Sequence, residues 1–196
     1  MENVDIKLIT KDDLDDILAV SGESFPAEYN VTKANLMQKL IDDADKFEEG
    51  SLIIREAISG KPIGFIGTKI SHSELYPDTG WISIVAVAGD YRRNGYGRLL
   101  VEKALEALKN VGVKRVSVGQ EFHNFFSGIP NPNDENMGFF NALGFVVNEG
   151  SHYDLEAVIT DNTYIESFDN SIFVGEFKVK TCLLYTSDAA DDLLCV

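Results

Sequence analysis

Between residues 81 and 98 the chain reads "WISIVAVAGDYRRNGYGR", an apolar run broken by arginines and glycines just before an amphipathic stretch. No other segment constrains the fold as tightly. The run from Trp81 to Ala88 is rich in β-branched and small residues, as a buried strand is. Beyond the break, Leu100, Val101, Ala104, Leu105 and Leu108 form the i, i+4 stripe of a helix that packs on a sheet. The turn between them gathers backbone N–H groups and the positive end of the helix dipole at one point, which makes it an anion site. Gly95 and Gly97 let a phosphate approach the main chain and permit positive φ, while Arg92 adds charge at the rim. The spacing matches neither G-x-x-x-x-G-K-[ST] nor G-x-G-x-x-G, so the usual nucleotide turns do not apply.

The flanking segments fill out a mixed α/β order. "VDIKLIT" alternates as a half-buried strand, Thr10 with Asp13 reads as a helix cap, and Leu14, Ile17 and Leu18 mark the helical face. The loop "SGESFPAEYN" ends that helix, and Thr32 caps a second one carrying Leu36, Leu40 and Ile41. "SLIIREAIS" and "PIGFIGTKIS", joined through Ser59, Gly60 and Lys61, read as a hairpin. The helix after the turn stops at Asn110 and Gly112, and "VKRVSV" (Val113 to Val118) is a further strand. Then come the loop "GQEFHNFFSGIPNPND", a short helix around "ENMGFFNALG", a strand beginning "FVV" and a last strand at "SHYDLEAVI".

Composition narrows the partners. A length of 196 residues with 44% apolar content suits one domain with a real core. A formal charge of −15 argues against a nucleic-acid or anionic-membrane surface and suits a cationic small substrate, although acidic runs such as "DDADKFEEG" also make ordinary solvated faces. The start "MENVDIKLIT" lacks the apolar core of a signal peptide, and no run of eighteen apolar residues is present, so a cytoplasmic protein is expected. The last segment, "CLLYTSDAADDLLCV", back-translates to DNA that resembles a sequencing-library transposon adaptor. Setting residues 182–196 aside as a non-native tail removes Asp188, Asp191 and Asp192, so the charge becomes −12. It also removes Cys182 and Cys195, which leaves no cysteine for a disulfide, a zinc cluster or a nucleophile.

"VAVAGDYRRNGYG" resembles the acyl-CoA signature of the GNAT superfamily of N-acyltransferases, whose R/Q-x-x-G-x-G/A motif is met by Arg92, Gly95 and Gly97. "FFNALGF" (Phe139 to Phe145) is similar to the family's "FYEKLGF", with Asn133 seven residues before Phe140 where the family often has a CoA-contacting Asn. The resemblance covers about residues 4 to 159. It implies an α/β fold with a central mixed, mostly antiparallel sheet of six to seven strands, about four helices, and a V-shaped splay between two parallel strands. Residues 1–160 would be the acetyltransferase domain. The loop "FHNFFSGIP" resembles a segment of bacterial proteins with two such domains in tandem, so 161–181 would be a linker or the start of a second domain.

The same resemblance implies acetyl-CoA as acyl donor and no metal. The CoA pyrophosphate would lie on the amides of Arg93, Asn94, Gly95, Tyr96, Gly97 and Arg98, and the pantetheine arm against the backbone of Val85, Ala86 and Val87. Asn133 and Phe140 would complete the cofactor contacts. A general base is needed because an alkylammonium with pKa about 10.4 is charged at neutral pH. Where the family often has Glu, this chain has Trp81 and Gly119, so Glu121 and His123 are the candidates, each of which also reads as an ordinary loop residue. The oxyanion would meet the Val87 N–H. Phe140 stands where a Tyr usually protonates the leaving thiolate, and Tyr153 or water would substitute. Phe25, Glu28, Tyr29 and Tyr76 would contact the acceptor, a small-molecule amine.

Further partners would be a second copy of the chain or a tandem domain, with no nucleic acid and no membrane. Two other readings stay open from sequence alone. One is a catalytically degenerate acyl-CoA-binding domain with a regulatory or structural role; the other is an interaction module in which Gly95 and Gly97 are turn residues only.

Overall fold

The computed structural model describes residues 4–126, 128–129 and 134–146. All of them fall in one compact unit that ends at His152. The strands are β1 (Val4–Leu8), β2 (Leu52–Glu56), β3 (Pro62–Ile70), β4 (Thr79–Val87) and β5 (Arg115–Val118). The helices are α1 (Leu14–Ser24), α2 (Lys33–Leu36), α3 (Tyr96–Asn110) and α4 (Asp134–Asn141). One sheet runs β1-β2-β3-β4-β5. Every neighbouring pair is antiparallel except β4 and β5, which α3 joins as a parallel crossover. The fold class is thus as expected, with five strands among the described residues instead of six to seven. Phe145 and Val146 are not in a strand, and "SHYDLEAVI" lies outside the described residues together with 161–181 and 182–196.

Apolar residues on the two sheet faces divide the core between two helical layers. Leu14, Ile17 and Val20 of α1, with Leu36 and Leu40, cover Ile53, Phe65, Ile84 and Ala86. Leu100, Val101 and Ala104 of α3 cover Ile54, Ile63, Ile66 and Ile82 on the opposite face. Most of these side chains are fully buried, and burying each contributes about 1.5–3 kcal/mol.

Local chemistry shifts several element ends. α1 runs through Ser21 to Ser24, past the point where "SGES" suggests a loop, because the buried Ser21 hydroxyl donates to the Ile17 carbonyl at 2.7 Å and keeps the turn helical. Phe25 leaves the helix before Pro26, whose ring disfavours helical geometry at the preceding residue. Thr10 and Asp13 form the expected capping box, although Lys11–Asp13 is wound as a tight 3₁₀ turn before α1 begins. The second helix is also not uniform: Lys33–Leu36 is α, and Met37–Ile41 is wound as a π-helix. Arg55 of β2 reaches the start of α1, binding Asp13 at 2.6 Å and also Asp16. Burial works against an ionised Asp13, but the hydrogen bonds from Arg55 and Thr10 outweigh it and hold the carboxyl below its ordinary value.

No helix among the described residues is long and apolar enough to cross a membrane.

Candidate functional site

β4 and β5 pair in parallel only from Thr79↔Arg115 to Ile82↔Val118. Among the described residues, the bond from Gly119 N–H to the Ile82 carbonyl, at 3.0 Å, is the last between them. The register of β4 against β3 shifts at the same level, from Gly67↔Ile84 to Thr68↔Ile82, so Ser83 is the extra residue of a β-bulge. The bulge explains why Ile82 faces α3 whereas Ile84, two residues on, faces α1. A regular strand would put both on one face. Past Ser83, β4 continues paired with β3 but no longer with β5.

The backbone of that stretch is oriented by its pairing with β3. Ala88 N–H donates to the Ile63 carbonyl at 2.8 Å, which makes Gly64↔Val87 a non-hydrogen-bonded pair. The N–H and C=O of Val87 therefore point away from β3, and by the two-residue period so do those of Val85. They face the gap that β5 has left. A cleft of about 570 Å³ opens there, walled by Phe25 and Pro26 after α1, Phe126 and Ile129 of the loop after β5, and Asn136, Phe139 and Phe140 of α4.

The glycine turn forms one end of this cleft. Gly95, at φ 87°, is the N-cap of α3, and Arg93 is also left-handed at φ 63°. The amides that follow Gly95 have no carbonyl one turn earlier in the helix and lie at the positive end of its dipole. A Cβ on Gly97 would stand 3.4 Å from the Phe139 ring and 3.7 Å from a Val87 methyl, so glycine keeps the floor of the cleft open. Arg92, Arg93 and Arg98 line the cleft and bring positive charge to it.

Arg92 does more than carry charge at the rim. Its Nε donates to the Val87 carbonyl at 2.9 Å and its Nη2 to the Glu23 carbonyl at 3.2 Å, so it ties the end of α1 to the end of β4. Asn94 donates to the Tyr91 and Arg92 carbonyls and holds the turn, and Tyr96 packs edge-on against Tyr91. Neither lines the cleft.

The loop after β5 carries the acid–base candidates. Glu121 is 3% exposed and does not line the cleft. Ser83 does line the cleft. Neither carboxylate oxygen of Glu121, nor the Ser83 hydroxyl, has a hydrogen-bond partner of normal geometry among the described residues. Burial pushes the Glu121 carboxyl above its ordinary value of 4.5, opposed by its own backbone N–H, the Lys69 ammonium, the adjacent Ser83 hydroxyl and the Lys39 ammonium.

Two lysines hold this loop. The Lys69 ammonium, on a side chain 1% exposed, binds Asp43 at 2.8 Å and donates to the carbonyls of Phe122 at 3.1 Å and His123 at 3.3 Å. Lys39 donates to the His123 carbonyl at 3.2 Å and to that of Asn124. Burial and the neighbouring Lys69 charge pull the Lys39 pKa down, against Glu121 and Asp43. Gln120 and His123 are both left-handed, at φ 66° and 53°, so the loop needs these anchors.

The other expected site residues divide clearly. Val85, Ala86, Phe140 and Phe25 line the cleft, with Phe140 7% exposed and in edge-to-face contact with Phe139 and Phe145. Tyr29 does not line it but packs edge-on against Phe126, which does. The His123 ring is exposed and outside the cleft, and Tyr76 packs edge-to-face with Trp81 and Phe122 and does not line it. Asn133, Tyr153 and the side chain of Glu28 lie outside what the structure describes. Sequence reading passed over Asn136, although its i, i+3, i+4 spacing with Phe139 and Phe140 places all three on one helix face. It also passed over Ser83, the one polar residue inside "WISIVAVA". Among the described residues no group of His, Cys, Asp or Glu is arranged to hold a metal.

Known proteins share this architecture. Mycothiol acetyltransferase of Propionibacterium freudenreichii is 25% identical over 116 residues, 58% of this chain and 36% of that protein, so the chain spans about a third of its length. The fold superimposes on the ribosomal-protein-S18-alanine N-acetyltransferase of Escherichia coli, with a TM-score of 0.57 at 19% identity over 76% of this chain and 79% of that one. It also superimposes on the PaiA N-acetyltransferase of Thermoplasma acidophilum, solved in complex with coenzyme A, with a TM-score of 0.59 at 17% identity over 76% and 92% of the two chains. At this identity the two structural likenesses show the fold. Residues 14–145 match the Acetyltransferase (GNAT) family, from the first helix through the aromatic segment after α4. The chain belongs to the GNAT acetyltransferase family.

Proposed function

We propose that residues 1–160 form an acetyl-CoA-dependent N-acetyltransferase that acetylates a primary amine of a small cationic acceptor by direct attack in a ternary complex. The observation that carries this reading is the open edge of β4. The backbone groups of Val85 and Val87 face a cleft that leads straight to the amino-terminal amides of α3. An extended amide-bearing arm with a diphosphate at its end matches that layout, with the arm added along β4 and the diphosphate on the turn at Gly95 to Arg98. Arg93 and Arg98 supply charge there, Asn94 and Tyr96 shape the turn, and Asn133 and Asn136 are the side-chain amides for the remaining cofactor contacts.

Glu121 is the better base. Burial raises its pKa and so strengthens it as a base, and it sits beside Ser83 where β4 and β5 part, whereas the His123 ring lies outside the cleft. The oxyanion donor must be near the same point. Val85 is two residues from Ser83, about 7 Å along the strand, and Val87 is twice as far, so the Val85 N–H suits the oxyanion and the Val87 N–H the arm. Phe140 offers no proton. A thiol of pKa about 8.5 leaves tolerably as the thiolate, so Tyr153 or water suffices as acid. Phe25, which lines the cleft, and Tyr29 and Glu28 of the same loop are the proposed acceptor contacts, and the net charge of −15 favours a cationic acceptor.

The phenylalanine at 140 and the withdrawn Glu121 favour one rival, an acyl-CoA-binding domain without turnover. Incubating the full chain with acetyl-CoA and a panel of polyamines, aminoglycosides and peptide N-termini separates the two. Thiol release that depends on an amine and is lost in Glu121→Gln supports the enzyme. Saturable acetyl-CoA binding without thiol release for any amine supports the rival.

A further inference from the structure

Ser83 belongs both to the cleft lining and to the surroundings of the Glu121 carboxyl. The carboxyl is buried and does not line the cleft, whereas Ser83 lines it and lies beside the carboxyl. The Ser83 hydroxyl is itself buried beside the carboxyl, and among the described residues neither it nor either Glu121 oxygen has a hydrogen-bond partner of normal geometry. Polar atoms buried with so few partners carry a cost that a purely structural site would avoid, since burying an apolar residue there would be cheaper. A bulge at Ser83, at the level where β4 and β5 part, is also where a strand re-aims a side chain.

We infer that Ser83 is a catalytic residue of the proposed reaction, with its hydroxyl relaying the acceptor's proton to Glu121. The inference rests on Glu121 being the base. The acceptor ammonium gives one proton to Ser83 Oγ while the hydroxyl's own proton passes to the Glu121 carboxylate. This leaves a neutral amine, an unchanged serine and a protonated Glu121. The amine then forms the C–N bond as the C–S bond breaks, its second proton goes to the departing thiolate, and Glu121 returns its proton to water through Ser83 once product has left.

The groups around Glu121 suit this task. Lys69 from β3 and Lys39 from the π-helix both attract the ionised carboxylate, and Asp43 partly neutralises Lys69. Ser83 from β4 adds a hydroxyl beside it. These groups oppose the upward shift that burial imposes on the carboxyl, and the hydroxyl is its route to the cleft.

The test uses Ser83→Ala and Ser83→Thr in the full chain with two readouts. In the protein without ligand, carbon-13 NMR titration of the Glu121 carboxyl should move to higher pH in Ser83→Ala and return toward the parent in Ser83→Thr. With an amine that turns over, Ser83→Ala should lower kcat about 10²-fold and move the acidic limb of kcat/KM upward by the same amount as the NMR titration, and Ser83→Thr should recover most of both. An unchanged Glu121 titration in Ser83→Ala overturns the inference whether or not any amine is acetylated. Parent-like kcat in Ser83→Ala together with an inactive Glu121→Gln also overturns it, while leaving Glu121 as the base. Parent-like activity in Glu121→Gln overturns the base assignment and the relay with it.

Discussion

Replacing Lys69 with methionine should destabilise the domain by about 3–5 kcal/mol, because it breaks a buried ion pair from one side. The parent ammonium sits on a side chain 1% exposed, against an Asp43 side chain 6% exposed, and its other two donors go to main-chain carbonyls of the 122–123 loop. Methionine fills most of the volume, so little of the cost comes from a cavity. It comes from leaving Asp43 ionised in a dry site and two carbonyls without their donor. Glu121 also loses a neighbouring cation, which moves its carboxyl further above its ordinary value. For a domain of this size the melting temperature should fall by roughly 10 °C, and the urea midpoint should drop with an unchanged slope. Removing both charges in Lys69→Met with Asp43→Leu should recover part of the loss, since the uncompensated carboxylate is gone. A single variant within about 0.5 kcal/mol of the parent, or a double variant no more stable than the single, would refute the reasoning.

Glu121→Gln should make the domain more stable than the parent at pH 7. A carboxyl whose folded pKa lies above 4.5 opposes folding once it ionises, so the advantage should shrink as pH falls through the folded value and vanish below about 4.5, as urea melts from pH 4 to 8 can show. Gly97→Leu should leave a folded protein while closing the floor of the cleft. A Cβ there already reaches 3.4 Å from Phe139 and helical φ/ψ suits leucine, so thermal melting should change little and acetyl-CoA affinity should fall at least tenfold by calorimetry.

Where the signal was local, the sequence could be read closely. The strand at 81–88, the turn at Arg92 to Gly97 and α3 follow from adjacent periodicities, and the Thr10–Asp13 box and the β2–β3 hairpin from short-range turn chemistry. Ser21 shows the limit of such reading. A Ser-Gly pair marks a loop by composition, but the hydroxyl found its partner at the Ile17 carbonyl and the helix continued. Lys69 looks like a solvated strand residue in "GTKIS", because Asp43 and the 122–123 carbonyls that bury it are remote in sequence. Ser83 reads as a lapse in an apolar run, since only pairing with β3 shows the bulge. Arg92 was legible as a cation at a phosphate turn, but not as the tie between Glu23 and Val87, which depends on how α1 ends against β4.

The central claim is that the α3 turn and the open edge of β4 hold acetyl-CoA. Calorimetric titration of acetyl-CoA into the full chain, beside a Gly95→Glu variant, tests it most directly. That variant puts a carboxylate at the N-cap of α3, where φ is 87° and a diphosphate is expected. The account predicts micromolar binding by the parent and its loss in a variant that remains folded by circular dichroism. Absence of binding by a well-folded parent, or equal affinity in both proteins, would contradict it.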